Sequence, residues 1–175
     1  MTIFSYHLLE TTYFDALKLI LNPPKNNKVK GLIYLECMTF MTLGSPVFSF
    51  SRLLNNKIAV FAQWENEGSF DLFLSNHSFG KTLAEGWFTK LKYLRQWGKF
   101  DGLKIPQETL EVDDDQPVVA ITIARMKFLE IPRFIHWGRP VEKLVRDDPA
   151  VILSMATIRL PRTVSTFSIW KTKKD

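Results

Sequence analysis

The sequence contains a single cysteine, Cys37, among 175 residues, so no disulfide can form within the chain. We therefore expect a reducing compartment, and the apolar neighbours of Cys37 predict a buried side chain rather than a nucleophile. The first residues lack the basic start and apolar core of a signal peptide, and no apolar run is long enough to span a bilayer. These absences predict a cytoplasmic protein and leave peripheral contact with a membrane open.

Motifs that hold phosphate, dinucleotides, zinc or a nucleophilic serine are also missing from the sequence, so hydrolase, nucleotide-binding and zinc-enzyme functions have no motif support. The formal net charge is +5, but most basic residues are scattered among acidic ones. Two short lysine clusters exist, and neither is interleaved with aromatic residues as in nucleic-acid-binding motifs. We predict no nucleic-acid partner. The clusters are Lys25, Lys28 and Lys30, and Lys171, Lys173 and Lys174.

Hydrophobic periodicity predicts strands and helices in the first part of the chain in the order β-α-β-β-α-β, with two helical segments before the last strand. Thr11 or Thr12 is predicted to cap the first helix, and Asn66 or Ser69 the second. The predicted strands are Ile3–Leu9, Gly31–Thr42, Lys57–Trp64 and Tyr93–Trp97, and the predicted helical segments are Tyr13–Leu21, Phe70–Leu74 and Thr82–Leu91.

The same order restarts after a polar linker at residues 108–116. The restart is predicted as strand Val118–Arg125, helix Pro132–Val145, strand Val151–Arg159 and strand Val164–Trp170. Phe61-x-x-Trp64 and Phe167-x-x-Trp170 end the third strand of each half, which indicates an internal repeat. The sequence therefore predicts an α+β protein with tandem ferredoxin-like halves, 1–112 and 113–175, resembling a dimeric α/β barrel. The second half is incomplete at its C-terminus.

Several of these stretches, taken in order, resemble the spheroidene monooxygenase family of carotenoid biosynthesis. They are Gly31-Leu32, Gly44, Ile58–Trp64, Trp87, Gly98-Lys-Phe-Asp-Gly102, Pro117–Arg125, Phe134, Pro140-Val141 and Thr166–Trp170. The resemblance implies an oxidoreductase, a haem-dependent monooxygenase that introduces oxygen into a carotenoid or another apolar small molecule. The family continues past the equivalent of Trp170 with a helix bearing aromatic and histidine residues, which this sequence does not have.

The resemblance also implies site residues. The substrate pocket would be lined by Trp64, Trp97 and Trp170, and the cofactor would contact Trp87 and Phe100. Arg125 and Arg159 would pair with haem carboxylates, because a planar guanidinium matches a carboxylate. His77 and His136 are the candidate axial ligands of the haem iron. Each of these residues also has an ordinary interpretation as core, surface or hydrogen-bonded side chain.

A second hypothesis explains the same pattern without catalysis. An incomplete second sheet has a strand edge that can pair with another chain, so the protein would be a non-catalytic dimeric α/β-barrel module. Such a module would bind an apolar ligand or a second copy of itself, and homo-oligomerisation is therefore left open.

Overall fold

The computed structural model describes residues 1–41, 56–106 and 113–174. The chain divides into two compact units, which are described separately. The first comprises Met1–Met38 and Asn56–Glu111, and the second comprises Thr39–Asn55 and Val112–Asp175. The predicted limits of the two halves, 1–112 and 113–175, stay a prediction, and Gly44 lies outside the described residues.

The first unit contains four strands and three α-helices among the described residues. Side-chain caps begin two of the helices, as predicted: Thr12 accepts a hydrogen bond from the backbone N–H of Asp15, and Asn66 accepts one from Ser69. The elements in chain order are β1 (Ile3–Glu10), α1 (Tyr13–Leu21), β2 (Leu32–Met41), β3 (Lys57–Trp64), α2 (Glu67–Asn76), α3 (Ser78–Ala84) and β4 (Trp87–Leu91).

The strands of the first unit are ordered β4-β1-β3-β2, which is the ferredoxin-like arrangement. β1 pairs antiparallel with β3, so Ile3 lies opposite Trp64 and Glu10 opposite Lys57. β1 also pairs antiparallel with β4. At the end of β3, the Glu65 N–H donates to the Gly31 carbonyl just before β2.

Two predicted elements near the end of the first half are wrong. Residues 87–91, predicted as the end of a helix, form strand β4, and the predicted strand Tyr93–Trp97 is irregular. Helix α3 ends at Ala84, and Gly86 then brings the backbone against β1. A Cβ atom on Gly86 would lie 2.2 Å from the Leu8 carbonyl oxygen. Pairing with β1 therefore outweighs the helical spacing of this stretch.

The second unit repeats the first part of this arrangement. Its elements are β5 (Val118–Arg125), α4 (Ile131–Asp147), β6 (Val151–Arg159) and β7 (Thr163–Trp170), and its strand order is β6-β7-β5. The end of β2, Thr39–Met41, belongs to this unit and pairs antiparallel with β6. The described residues after Trp170 contain no further helix or strand. The predicted α+β, tandem ferredoxin-like fold is confirmed.

The two Phe-x-x-Trp segments occupy equivalent registers in their units. Trp64 and Trp170 each lie opposite the first residue of a paired strand, Ile3 in β1 and Val118 in β5. Phe61 and Phe167 each lie opposite the fourth residue of that strand. The structure therefore supports the repeat that the sequence pattern indicates.

Candidate functional site

The two faces of the sheet in the first unit differ in what covers them. One face packs against α1, α2 and α3 and holds the hydrophobic core, in which Trp64, Ile58 and Val60 are fully buried. Side chains alternate across a strand, so the neighbours of these residues point to the opposite side. We call that side the helix-free face and define it by its residues, which are Phe4, Tyr34, Glu36, Phe61 and Gln63.

Tyr34 and Glu36 form a buried polar pair on the helix-free face. They are two residues apart on β2, so both side chains point to the same side of the sheet. The Tyr34 hydroxyl donates a hydrogen bond to Oε2 of Glu36. Glu36 is only 2% exposed, and burying a carboxylate is costly unless hydrogen bonds compensate for the lost water. The arrangement can therefore hold or transfer a proton away from solvent.

Aromatic rings surround this pair. The centroid of the Tyr34 ring lies 6.4 Å from that of Phe61 and 5.9 Å from that of Phe100, the latter edge to face. Phe4 stacks on Phe61 with centroids 5.7 Å apart and also contacts Tyr93. These rings give an apolar wall next to a polar pair, a combination typical of sites that bind small apolar molecules.

Residues 92–106 cross the helix-free face and are held there by Gln63. The side-chain amide of Gln63 donates to the Lys104 carbonyl at 2.5 Å and accepts from the Lys104 N–H at 2.9 Å. Gly102 has a φ of +96°, and a Cβ at this position would lie 2.9 Å from the Tyr34 ring. Glycine thus permits the segment to approach Tyr34 closely.

The aromatic residues predicted for the site lie in separate places. Phe100 contacts Tyr34, and Trp87 lies opposite Leu8 at the start of β4, on the same side of the sheet as Phe4. Trp64 is on the other side, where its indole N–H donates to Ser5. Trp97 is exposed beneath Arg95, and Trp170 is a half-buried residue of the second unit that donates to Ser168. Their predicted ligand contacts stay predictions.

The two predicted arginines converge in the second unit. Arg125 ends β5 and Arg159 ends β6, and both lie directly opposite Thr163 of β7. Their backbones are therefore two strand spacings apart, about 10 Å. Residues that lie opposite one another share a face of the sheet, so the side chains of Arg125 and Arg159 leave the sheet on the same face as the buried Thr163. This pair suits an anionic group, such as a carboxylate.

The histidines do not fit the axial ligation of a haem. Nδ1 of His77 accepts a hydrogen bond from the Phe79 N–H, so in the neutral ring Nε2 carries the hydrogen and has no lone pair for iron. His136 is exposed on α4 beside Trp137. Within the described part of the chain, no three His, Cys, Asp or Glu side chains come together as metal ligands.

His7 lies inside β1 and is buried. Burial lowers the pKa of its imidazole to about 4, and the ring packs against Phe70 and Phe88. Its Nε2 lies 3.2 Å from the Ser5 hydroxyl, and Nδ1 has no hydrogen-bond partner among the described residues. His7 is thus a neutral core histidine.

Sequence analysis missed Tyr34, Glu36 and Gln63. A signal for Glu36 existed, since it is the single charged residue in the apolar run from Leu32 to Met41. A charge in such a run is buried on one face or the other and needs a partner. The Tyr-x-Glu spacing supplies that partner on the same face. Cys37, by contrast, is buried as predicted.

Comparison with known proteins finds structural similarity alone. No family model and no curated protein matches the chain. A candidate monooxygenase from Lactobacillus acidophilus NCFM is 11% identical, with a TM-score of 0.36, and the match covers 99% of this chain and 78% of that one. A candidate monooxygenase from Fusobacterium nucleatum is 10% identical, with a TM-score of 0.37 and coverage of 99% and 77%.

A third similar structure, from Listeria monocytogenes, is described as an uncharacterised ferredoxin-fold protein related to antibiotic biosynthesis monooxygenases. It is 14% identical, with a TM-score of 0.31, and the match covers 99% of this chain and 75% of that one. None of the three descriptions is specific to spheroidene monooxygenases. At these scores the similarities carry no argument about activity, and the fold rests on the strand order and pairing.

Proposed function

We propose that this chain is a monooxygenase-type ferredoxin-like protein that binds an apolar conjugated molecule of the carotenoid class on the helix-free face. The observation that carries the proposal is the buried Tyr34–Glu36 pair surrounded by aromatic rings. A conjugated chain is flat and polarisable, so it packs well against Phe61 and Phe100. The resemblance to spheroidene monooxygenases supports the same class of substrate.

The chemistry proposed for the pair is proton transfer. Monooxygenation places one atom of O2 in the substrate and reduces the other to water, which consumes two electrons and two protons. Glu36 and the Tyr34 hydroxyl that donates to its Oε2 lie away from solvent, so a proton taken up by the carboxyl group can be passed on to a reacting oxygen on this face. Gln63 would hold residues 92–106 across the face and so limit the access of water.

Haem stays a prediction of the resemblance. Arg125 and Arg159 are suited to its carboxylates, but the histidines described above do not fit the iron. Titration of the purified chain with hemin tests haem binding separately from substrate binding. A saturable Soret band at one hemin per chain would support the cofactor, and a spectrum that equals the sum of free hemin and protein would reject it.

The activity is tested by incubating the chain with a spheroidene-class carotenoid, a reductant and oxygen-18 gas. The expected product carries one oxygen-18 atom per molecule, measured by mass spectrometry, and requires both oxygen and reductant. The reaction is run with and without hemin. A carotenoid recovered unchanged under both conditions, although it binds to the protein, would contradict the catalytic proposal.

Binding without oxygen incorporation would favour the second candidate, a non-catalytic module. Strand β5 is the observation that favours it, because β5 lies at the end of the strand order β6-β7-β5. An edge strand can pair with a strand of a second copy. Light scattering that shows a strict monomer over a range of concentrations would contradict the self-pairing version.

A further inference from the structure

Helix α1 has two apolar faces, and only one of them is used by the core. Ala16 is buried, and Leu19 and Ile20 pack against the core of the first unit. The other apolar residues of the helix are exposed: Tyr13 by 61%, Phe14 by 87%, Leu17 by 54% and Leu21 by 68%. Single exposed apolar residues are common, but four on one short helix form a patch that needs an explanation.

The four exposed residues form a continuous stripe. At about 100° per residue, Tyr13, Phe14, Leu17 and Leu21 fall within an arc of roughly 100°. We call these four residues the outer stripe. Lys18 borders the stripe beside Phe14 on the same projection, whereas Asp15 lies on the far side of Lys18. Asp15 is also engaged at the helix start, where the Thr12 hydroxyl donates to it at 2.7 Å.

A basic segment follows the stripe directly in the chain. Lys25, Lys28 and Lys30 are exposed and lie around a short 3₁₀ helix, Asn26–Lys28, which comes just after Pro23 and Pro24. Within residues 1–41, 56–106 and 113–174, none of the three ammonium groups forms an ion pair. Their charge is therefore available to an anionic partner.

We propose that the outer stripe and the basic segment dock this protein on the surface of an anionic lipid bilayer. Apolar side chains that enter the headgroup region, next to lysines that attract anionic lipid, are the combination by which amphipathic helices bind membranes. Lysine side chains also adapt well to this position, because the stem lies along apolar surface while the ammonium group reaches polar headgroups.

A second copy of the chain is a less suitable occupant of the same surface. A symmetric dimer buries the same patch of both copies, so both basic segments would lie at or beside the interface. Like charges across an interface are unfavourable unless acidic groups separate them. Among the described residues, no helix has the length and hydropathy to cross a membrane, so any contact through α1 is at the surface.

The proposal is tested by co-sedimentation with vesicles of phosphatidylcholine alone or mixed with phosphatidylglycerol. We expect the wild-type chain to sediment with the anionic vesicles and to be released by salt, because salt screens the lysines. The stripe variant F14S/L17S should bind anionic vesicles at least tenfold more weakly. The charge variant K25Q/K28Q/K30Q should lose roughly a hundredfold, since each lysine near an anionic surface contributes about fivefold.

Two matched control variants test whether a loss of vesicle binding is specific to the outer stripe and the basic segment. L72S removes an apolar residue that is 58% exposed on α2, and K81Q/K92Q/K99Q removes three other exposed lysines. Both controls should bind as the wild type does, and thermal melts check that every variant is folded.

A wild-type chain that stays in the supernatant with anionic vesicles would overturn the proposal, as would equal losses in the matched variants. Light scattering that shows a dimer dissociated by F14S/L17S, with no vesicle binding, would assign the stripe to a second copy instead. None of these outcomes depends on oxygenase activity, so the docking surface and the proposed function can fail independently.

Discussion

Replacing Glu36 with glutamine is expected to lower carotenoid turnover by about a hundredfold, the low end for losing a general acid or base. The same change should alter the free energy of unfolding by no more than about 1 kcal/mol. Glutamine keeps the shape of the side chain and an oxygen that accepts from the Tyr34 hydroxyl, but it cannot take up and pass on a proton as a carboxyl group does. Turnover and urea unfolding of the same preparation measure the two effects.

A large loss of turnover with little change in the free energy of unfolding distinguishes a functional carboxylate from a structural one. If the carboxylate only stabilised the fold, its replacement would lower the free energy of unfolding by about 1–3 kcal/mol. The turnover of the folded fraction would then stay unchanged. Glu65, an exposed carboxylate just after β3, provides the matched control E65Q, which should change neither quantity. The variant Y34F removes one hydrogen bond to Glu36 and is expected to lower both turnover and stability.

The free energy of unfolding is expected to fall by about 3 kcal/mol as the pH drops from 6.5 to 4 because of His7 alone. Burial lowers the pKa of His7 to about 4 in the folded chain, whereas the unfolded histidine has its ordinary pKa of 6.5. Between these values the unfolded state binds a proton that the folded state does not, so acid favours unfolding. Well above pH 6.5 His7 is neutral in both states, so its contribution to the free energy of unfolding no longer changes with pH.

Urea unfolding at several pH values measures this effect, and the variant H7Q isolates it from the titration of carboxylates. The difference in stability between wild type and H7Q should narrow or reverse as the pH falls towards 4. The control H136Q changes an exposed histidine on α4 and should keep the wild-type pH dependence. If H7Q and the wild type showed parallel pH profiles, the buried neutral state assigned to His7 would be wrong.

All the described strands except β4 could be predicted from the sequence to within one residue at each end. Lys57–Trp64, Val118–Arg125 and Val151–Arg159 have the predicted bounds, because β-branched and aromatic runs between turn residues are strong strand signals. The repeat was also visible, since Phe-x-x-Trp recurs at the same register. Local pattern was sufficient wherever a strand's own residues carry a clear strand signal.

The sequence was insufficient wherever distant pairing decided the outcome. Residues 87–91 have an apolar spacing compatible with a helix, and the edge of β1 makes them a strand. Periodicity likewise grouped all the apolar residues of α1 together, although Ala16, Leu19 and Ile20 reach the core and the outer stripe does not. Which face of an element is buried depends on its neighbours in space, which periodicity does not contain.

For the candidate site, too, local relations could be predicted from the sequence and contacts between distant residues could not. The resemblance implied a site lined by aromatic residues, but periodicity could not assign Trp64 to the helix-covered face and Phe100 to the other. The Tyr34–Glu36 pair depends on two side chains sharing one face of a strand, a relation that could have been read from the sequence. The two hydrogen bonds between Gln63 and Lys104 join residues that are 41 apart in the sequence, so they could not be predicted from a local pattern.

Ligand binding to the helix-free face is tested most directly by titrating wild type, F100A and I105A with a spheroidene-class carotenoid. Binding is followed by the shift in carotenoid absorbance. Phe100 contacts the Tyr34 ring, and Ile105 is a half-exposed apolar residue of the same segment. The account predicts about tenfold weaker binding for F100A and wild-type affinity for I105A. Equal affinities for all three proteins, or no saturable binding to the wild type, would contradict it.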